Sequence, residues 1–597
     1  MRLIFLICII FSSFTYASDD KVLATWLELI KSPDPNFYQL KDFITNHDQW
    51  PKLELFRRKI EENNFNNCKD EDIIAWFKKN PPKTIRGQEK YISLIKDQQT
   101  KNHYLRLIWL EKNFTKDEEK SFIKQNKKLL KEQDFINRIN NLLYRSNPDQ
   151  AKRLLPYIFP KTRSLYKERI EIQNGKTQSI THLNDIGVLY DLAKFYESKD
   201  QEQKLIKTIK KAINLGNKNQ IYFWKIKAKL IRNLIRDKDY NTAYLFAKSH
   251  NYTNPKEYSE GEWLSGWIAL EFLKKPDLAI THFNNVYKKV KLPISISRAS
   301  YWLGRAFEKN NDQANNWYMI SSKYYNTFYG QLSACKINNC KVHLPQEQPI
   351  KESSVLAFKN NKLVQAAIKL NNTDDEHLVQ DLILKAIQNS KDQGEISLIS
   401  KIGFQLEKHH LSVEAAKHAS YKDIYLVNSS YPTPNFIYKD HKLNQALVLS
   451  LIRQESVFNH KAKSCAGAVG LMQMMPNVAK ETANKVNIDF CHKKLSSDPY
   501  YNSLLGVNHL GQLLEFYKNS NILSVAAYNA GKKSVSKWIQ DNNDPREMKN
   551  IEDIINWIER IPFYETRNYV QRIIESKSIY NILINKHKKL SILEDLL

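Results

Sequence analysis

Glu455 lies in the run Glu455-Ser456-Val457-Phe458-Asn459, at a helical position where an apolar residue is expected. Residues 443–458 predict an amphipathic helix, with Leu447, Leu451 and Glu455 spaced i, i+4, i+8 and Val448 and Ile452 beside them. The carboxylate therefore belongs to the inward face. Removing a carboxylate from water disfavours its charged form and raises its pKa, which keeps a proton available for general acid catalysis near neutrality. A plainer reading is a helix-end Glu that snorkels or pairs with a cation, and the residues downstream decide between the two.

Three further clusters follow. Residues 464–476 (Ser464-Cys465-Ala466-Gly467-Ala468-Val469-Gly470-Leu471-Met472-Gln473-Met474-Met475-Pro476) read as a small-residue turn running into an apolar segment with one amide, the glycines allowing close approach of backbone to a ligand. Ala526-Ala527-Tyr528-Asn529-Ala530-Gly531 predicts a helix end with Gly531 as its left-handed cap. In Ile561-Pro562-Phe563-Tyr564-Glu565-Thr566-Arg567-Asn568-Tyr569-Val570, Pro562 suits a helix start, and Glu565 and Tyr569 share a face at i, i+4. Taken singly these are ordinary: tyrosines such as Tyr528 and Tyr569 fill cores, and an amide such as Gln473 sits at surfaces. Acid–base chemistry at such a residue often uses a second carboxylate nearby. Glu565 is the one candidate for such a partner, since Asp489 and Asp498 read as loop and helix-cap residues.

The elements that must position these residues are helices. The 597 residues include 15 Gly and 19 Pro, against roughly 42 and 30 at ordinary usage, and no segment reads as a strand. Residues 189–215 and 222–250 carry apolar residues at helical spacing, broken by short polar turns such as Asp237-Lys238-Asp239. An internal register is present: Trp267, Phe272, Asp277, Ala279 and Phe283 recur 35 residues on as Trp302, Phe307, Asp312, Ala314 and Tyr318. That period is the one of tetratricopeptide-like helix pairs, which stack one-dimensionally into an extended α-superhelix with aromatic stripes as core. The turn residues of 328–349, around Phe328-Tyr329-Gly330, Pro345 and Pro349, mark the array's end, and Tyr431-Pro432-Thr433-Pro434 predicts an extended linker. The resulting expectation is an all-α chain: a superhelical domain at 18–350, a small helical linker domain at 351–430 and a C-terminal domain at 431–597.

Residues 1–17 have the form of an export signal, with Arg2, an apolar core and Thr15-Tyr16-Ala17. That core is too short to span a bilayer, and no later uninterrupted apolar run approaches about 18 residues. Cys8 lies inside the apolar core without small residues before it, which speaks against a lipid anchor. The formal net charge is +27, a balance that attracts polyanions. An export signal and lysines scattered along the whole chain argue against nucleic acid and for solvated helix faces or an acidic matrix outside the cytoplasm, such as cell-wall peptide carboxylates. Five cysteines remain beyond the signal, and the sequence-near pairs Cys335/Cys340 and Cys465/Cys491 are the expected bridges, with Cys68 the fifth. No metal-ligand pattern and no cofactor motif is apparent, His492 beside Cys491 lacking spaced partners.

In this order the four clusters resemble the lytic transglycosylase domain, a lysozyme-like α fold whose signature runs Glu-Ser, Gly-Leu-Met-Gln-x-Met-Pro, Ala-Tyr-Asn-Ala-Gly, Ile-Pro-x-x-Glu-Thr-Arg-x-Tyr-Val. With the helical array ahead of it, the chain is similar to the soluble lytic murein transglycosylases. Trp302-Leu303-Gly304-Arg305-Ala306 and Phe328-Tyr329-Gly330-Gln331-Leu332 also look like that family. Cys465 departs from the pattern, as do Lys532 and Lys533 after Ala-Gly. The resemblance implies Glu455 as the single catalytic acid, with Ser464, Gln473, Met475, Tyr528, Asn529, Glu565 and Tyr569 lining a sugar cleft.

It further implies a periplasmic protein acting on peptidoglycan glycan strands with their peptide stems, without cofactor, and with cell-wall synthetic enzymes such as penicillin-binding proteins as candidate partners. In the implied reaction Glu455 protonates the oxygen between N-acetylmuramic acid and N-acetylglucosamine, then accepts the proton of the muramic C6 hydroxyl as that oxygen attacks C1. An oriented internal hydroxyl outcompetes water, because effective molarities reach about 10⁵ to 10⁸ M. Tyr528 is the residue expected to hold Glu455, and Asn529 or Gln473 to orient the substrate's N-acetyl group. The rival readings are a goose-type muramidase with water as acceptor, and a non-catalytic peptidoglycan-binding scaffold.

Overall fold

The structure is a computed structural model that describes residues 19–63, 65, 68–216, 222–250, 252, 254–310, 313–440 and 442–597. The expected export signal at 1–17, Cys8 with it, and Asp312 of the internal register lie outside the described residues. Helix follows helix from Asp19–Lys31 to Ile592–Leu596. Among the described residues, extended pairing is confined to two isolated bridges, Lys463 with Val469 and Val469 with Met474. Short polar residues stop and restart the helices. Asp239, from the predicted Asp237-Lys238-Asp239 turn, caps Tyr240–Lys248 by accepting from the Thr242 N–H at 3.2 Å, which satisfies one of the donors a helix start leaves open.

The chain divides into two compact units, residues 1–226 and 227–597. In the first, amphipathic helices such as Gln98–Glu111 and Glu132–Tyr144 bury Trp109, Phe114 and Phe135 in one cluster. The Arg138 guanidinium lies 4.7 Å over the Trp109 ring and donates to the Trp109 carbonyl. A second buried cation, Arg169, pairs with Asp191 at 2.7 Å. These charges are tolerable because each is paired and hydrogen-bonded.

The second unit contains both boundaries expected near 350 and 430. Its first part repeats a helix hairpin: Pro255–Glu271 with Pro276–Lys289, then Pro293–Lys309 with Asn315–Ser322. Trp267, Ala279 and Phe283, and their counterparts Trp302, Ala314 and Tyr318, are all buried. Close approach within the second hairpin requires Gly304, where a Cβ would sit 2.5 Å from the Tyr318 ring. The Phe328-Tyr329-Gly330 stretch, expected as a turn, opens the helix Phe328–Asn338; Thr327 caps it by accepting from the Gly330 N–H at 3.1 Å. The Cys335–Cys340 bridge joins its last turn to the residues just after it, and residues 341–350 then run without regular structure.

Helices from Glu352–Asn360 to His409–Ser420 come next, followed by the extended Tyr-Pro-Thr-Pro segment, in which Tyr431 is buried. The last part is built on two helices, Gln445–Ser456 and the long Tyr564–Asn585, which pack on each other. Asn521–Ala530 packs against the long helix as well.

Candidate active site

The helix Gln445–Ser456 starts on Asn444, whose side chain accepts from the Ala446 N–H at 2.8 Å. Leu447, Val448, Leu451 and Ile452 are buried, and Glu455 occupies the last turn on the same side, half-buried. The chain then reverses through two left-handed residues, Val457 at φ 53° and Phe458 at φ 65°. Such backbone costs about 1–3 kcal/mol per residue outside glycine, most for a β-branched one, and such strain gathers at functional sites. The reversal leaves Glu455 at a helix C-terminus, where the helix dipole also disfavours negative charge.

The Tyr569 hydroxyl of the long helix donates a hydrogen bond to Glu455 Oε1. Burial raises the Glu455 carboxyl, the Tyr569 bond pulls it back, and the Glu565 charge raises it again, leaving it pushed up to about 7 from an ordinary 4.5. Glu455 therefore carries a proton at pH values where an ordinary carboxylate has lost it. Glu565 is exposed. Burial also keeps the Tyr569 and Tyr528 phenols protonated.

Tyr528 does not hold the acid, contrary to expectation. Its hydroxyl donates to the Met472 carbonyl at 2.8 Å and lies 3.3 Å from the Met474 sulfur, so it fastens the neighbouring loop. The reason is positional: at the end of Asn521–Ala530 it faces that loop, and Tyr569 occupies the place beside Glu455. Gln473, expected as a candidate for the substrate's N-acetyl group, turns its amide nitrogen back onto the Ala462 and Gly470 carbonyls at 3.1 and 2.8 Å. Its own backbone is left-handed, with φ 45°.

Asn529 Oδ1 accepts from the Thr566 hydroxyl at 2.6 Å, tying its helix end to the start of the long helix. Ser464 Oγ closes its own turn by accepting from the Ala468 N–H at 3.0 Å. Met475 stands 41% exposed at the start of Pro476–Lys485. Gly531, expected as a left-handed cap, instead adopts φ 81° and ψ 151° and serves at once as the end of one helix and the start of the next.

Two residues outside the expected set organise the loop and helix ends near Glu455. Asn502, fully buried in Pro499–Phe516, accepts from the Met472 N–H at 2.9 Å and donates to the Val469 and Leu495 carbonyls, both at 2.9 Å. Gly470 is required beside it, since a Cβ there would lie 2.2 Å from the Asn502 amide and the Leu495 carbonyl. Thr566 is the other. Asn502 was legible by the same signal as Glu455, a polar residue on an apolar helical face, whereas the Thr566 role depends on which helix end lies opposite it.

The second expected disulfide is absent: Cys465 is exposed and Cys491 half-buried, both as thiols. Their loops are fixed separately, that of Cys465 by the Ser464–Ala468 turn and that of Cys491 by its N–H donating to the Tyr501 hydroxyl at 2.9 Å.

The site is thus one half-buried carboxyl of raised pKa beside a glycine-containing loop, carried on an all-α frame. Residues 434–551 match the family described as "Transglycosylase SLT domain", and about a third of the chain is similar in sequence to soluble lytic murein transglycosylases. The Escherichia coli K12 soluble lytic murein transglycosylase is 30% identical over 197 residues, covering 32% of this chain. A Haemophilus influenzae relative is 35% identical over 179 residues, covering 30% of this chain. Each alignment spans 29% of the relative's own length. The 70 kDa soluble lytic transglycosylase of Escherichia coli superimposes with a TM-score of 0.64 at 17% identity, over 94% of this chain and 92% of that one. At that identity the likeness is one of fold.

Proposed function

We propose that the protein cleaves the β-1,4 bond between N-acetylmuramic acid and N-acetylglucosamine in peptidoglycan, leaving a 1,6-anhydromuramyl end, with Glu455 as the single general acid and then base. The observation that carries this reading is Glu455 itself, held protonated near neutrality by burial and met by the Tyr569 hydroxyl. In the first step Glu455 gives its proton to the bridging oxygen as the bond to C1 breaks. Positive charge developing at C1 is stabilised by the substrate's N-acetyl oxygen and by the nearby negative charge of Glu565. Glu455, now a carboxylate stabilised by the Tyr569 O–H, accepts the C6 hydroxyl proton while that oxygen bonds to C1. Glu565 is exposed and its charge is screened by solvent, so the substrate's own N-acetyl group carries most of that stabilisation. Tyr528 and Asn502 keep the 469–474 loop shaped as one wall, and Thr566 with Asn529 braces the other.

The same reading assigns residues 1–17 to export into the periplasm, 18–350 to an array that engages the polymer, 351–430 to a linker and 431–597 to catalysis. Digestion of purified murein followed by mass analysis tests it. The expected muropeptides are one water lighter than reducing-end products, and reducing ends alone would establish a muramidase instead. The rate is also expected to fall as pH rises through about 7, because the acid must enter the reaction protonated. An initial-rate profile from pH 5 to 9 checks this, and a rate flat across that range would remove Glu455 as the proton donor.

A further inference from the structure

The Trp302–Ala306 and Phe328–Leu332 motifs lie more than 120 residues before Glu455 and contribute no group to the cleft. Their side chains, and those of the neighbouring helices, close instead on Ile551–Arg560 and Tyr564–Asn585. Arg305 pairs with Glu552 at 3.1 Å, and the Trp267 indole N–H donates to Asn556 at 3.0 Å. The centre of this contact is Glu559, fully buried. Its carboxylate meets Arg298 at 3.1 Å and Arg567 at 3.5 Å, and accepts from the Tyr329 hydroxyl and from the Gln571 amide at 2.8 Å. One turn further along, Glu575 accepts from the Phe328 N–H, and its carbonyl accepts from the Gln331 amide at 2.9 Å.

The contacts on the long helix fall at Arg567, Gln571 and Glu575, spaced i, i+4, i+8 and so on one stripe. Tyr569 is two residues from Arg567 and thus about 200° around the helix from it, on the opposite side. The helix is held between the end of the array on one face and Glu455 on the other. A buried charge with this many directional partners tolerates little displacement, because each shift leaves a desolvated group unpaired. A hydrogen bond between hydroxyl and carboxyl is equally intolerant, being lost within about 1 Å.

We propose that Tyr329 and its Glu559–Arg567–Gln571 contact set the rotation and height of the long helix so that the Tyr569 hydroxyl meets Glu455. Tyr329, in the array, is then a positioning residue for the acid and acts through Tyr569. This rests on Glu455 being the acid. The groups facing Glu455 are Tyr569 and Glu565 from the long helix and Tyr528 from Asn521–Ala530. Of these the Tyr569 hydroxyl is the one that lowers its pKa, so loosening that contact raises it.

The test is the pH–rate profile of the full chain on murein for wild type, Tyr329→Phe, Tyr569→Phe and the double variant. Tyr329→Phe is expected to lower the rate by about two- to tenfold and to move the alkaline limb to higher pH, as Tyr569→Phe does. In the Tyr569→Phe background it should move the limb no further. Tyr318→Phe, which removes a phenol bond to Glu308 of 2.9 Å inside the array, should leave the limb in place. If Tyr329→Phe does not fold, Gln571→Leu probes the same contact from the long helix. An unmoved limb in Tyr329→Phe, or limb shifts that add in the double variant, overturns the proposal while leaving the acid assignment intact. Wild-type activity in Glu455→Gln would instead remove the acid assignment itself.

Discussion

Glu455→Gln is expected to lower turnover on murein by about 10² to 10⁴-fold, the range associated with a positioned general acid, while glycan binding is largely kept. The substitution preserves shape and can still accept from Tyr569, so it removes the proton and little else. Release of soluble muropeptides by the purified variant, set beside its retention on insoluble murein, measures the two effects separately. Release at the wild-type rate would eliminate the one-acid mechanism.

The same substitution has a signed effect on stability. A carboxyl at about 7 in the fold and 4.5 when free keeps a proton that the unfolded chain sheds between those values. Stability is then lost as pH rises through that window, by about 3 kcal/mol at most. Glu455→Gln, which never ionises, should therefore unfold at a higher temperature than wild type at pH 8 and at a similar one at pH 4. A variant that is less stable at pH 8 would show that the acid is not held protonated by its surroundings.

The second large effect is expected at Glu559. Glu559→Leu leaves half-buried Arg298 and buried Arg567 with Glu260, at 3.5 and 3.8 Å, as their remaining carboxylate, and breaking a buried pair from one side costs about 3–5 kcal/mol. Burial opposes the Glu559 charge, but Arg298, then Arg567, then the Tyr329 hydroxyl outweigh it, and its pKa lies below the ordinary value. Its contribution is therefore present above pH 4.5 and lost as pH falls below that. The midpoint of thermal inactivation at pH 7 should drop sharply, and the added change Arg298→Met should recover part of the loss because two arginines then no longer compete for Glu260. An unchanged midpoint would mean that the helices are held by apolar packing alone.

Helix content, the placement of Glu455 on an inward face and the 35-residue register were all legible in the chain, because each depends on spacing within about one helical turn or one hairpin. The shortage of glycine and proline and the caps such as Asp239 act just as locally. The 328–330 stretch reads as a turn for the same reason in reverse: Gly330 looks like a breaker until Thr327 caps the helix around it and Glu575 accepts from its first N–H. Cysteine proximity in sequence was informative for Cys335 and Cys340, five residues apart, and not for Cys465 and Cys491, whose loops are tied to different elements.

The sequence by itself therefore determined an all-α chain and the residue that holds a proton, since both follow from helical periodicity and the cost of burying charge. The tertiary structure alone decided which tyrosine meets that residue: Tyr569, 114 positions away, in place of the expected Tyr528. It also decided that Gln473 is spent on its own loop and that Asn502, Thr566 and Glu559 are the residues that brace the site. The physical reason is that side-chain hydrogen bonds and buried ion pairs depend on the rotation and height of whole helices against one another, which many distant contacts set together and no local pattern encodes.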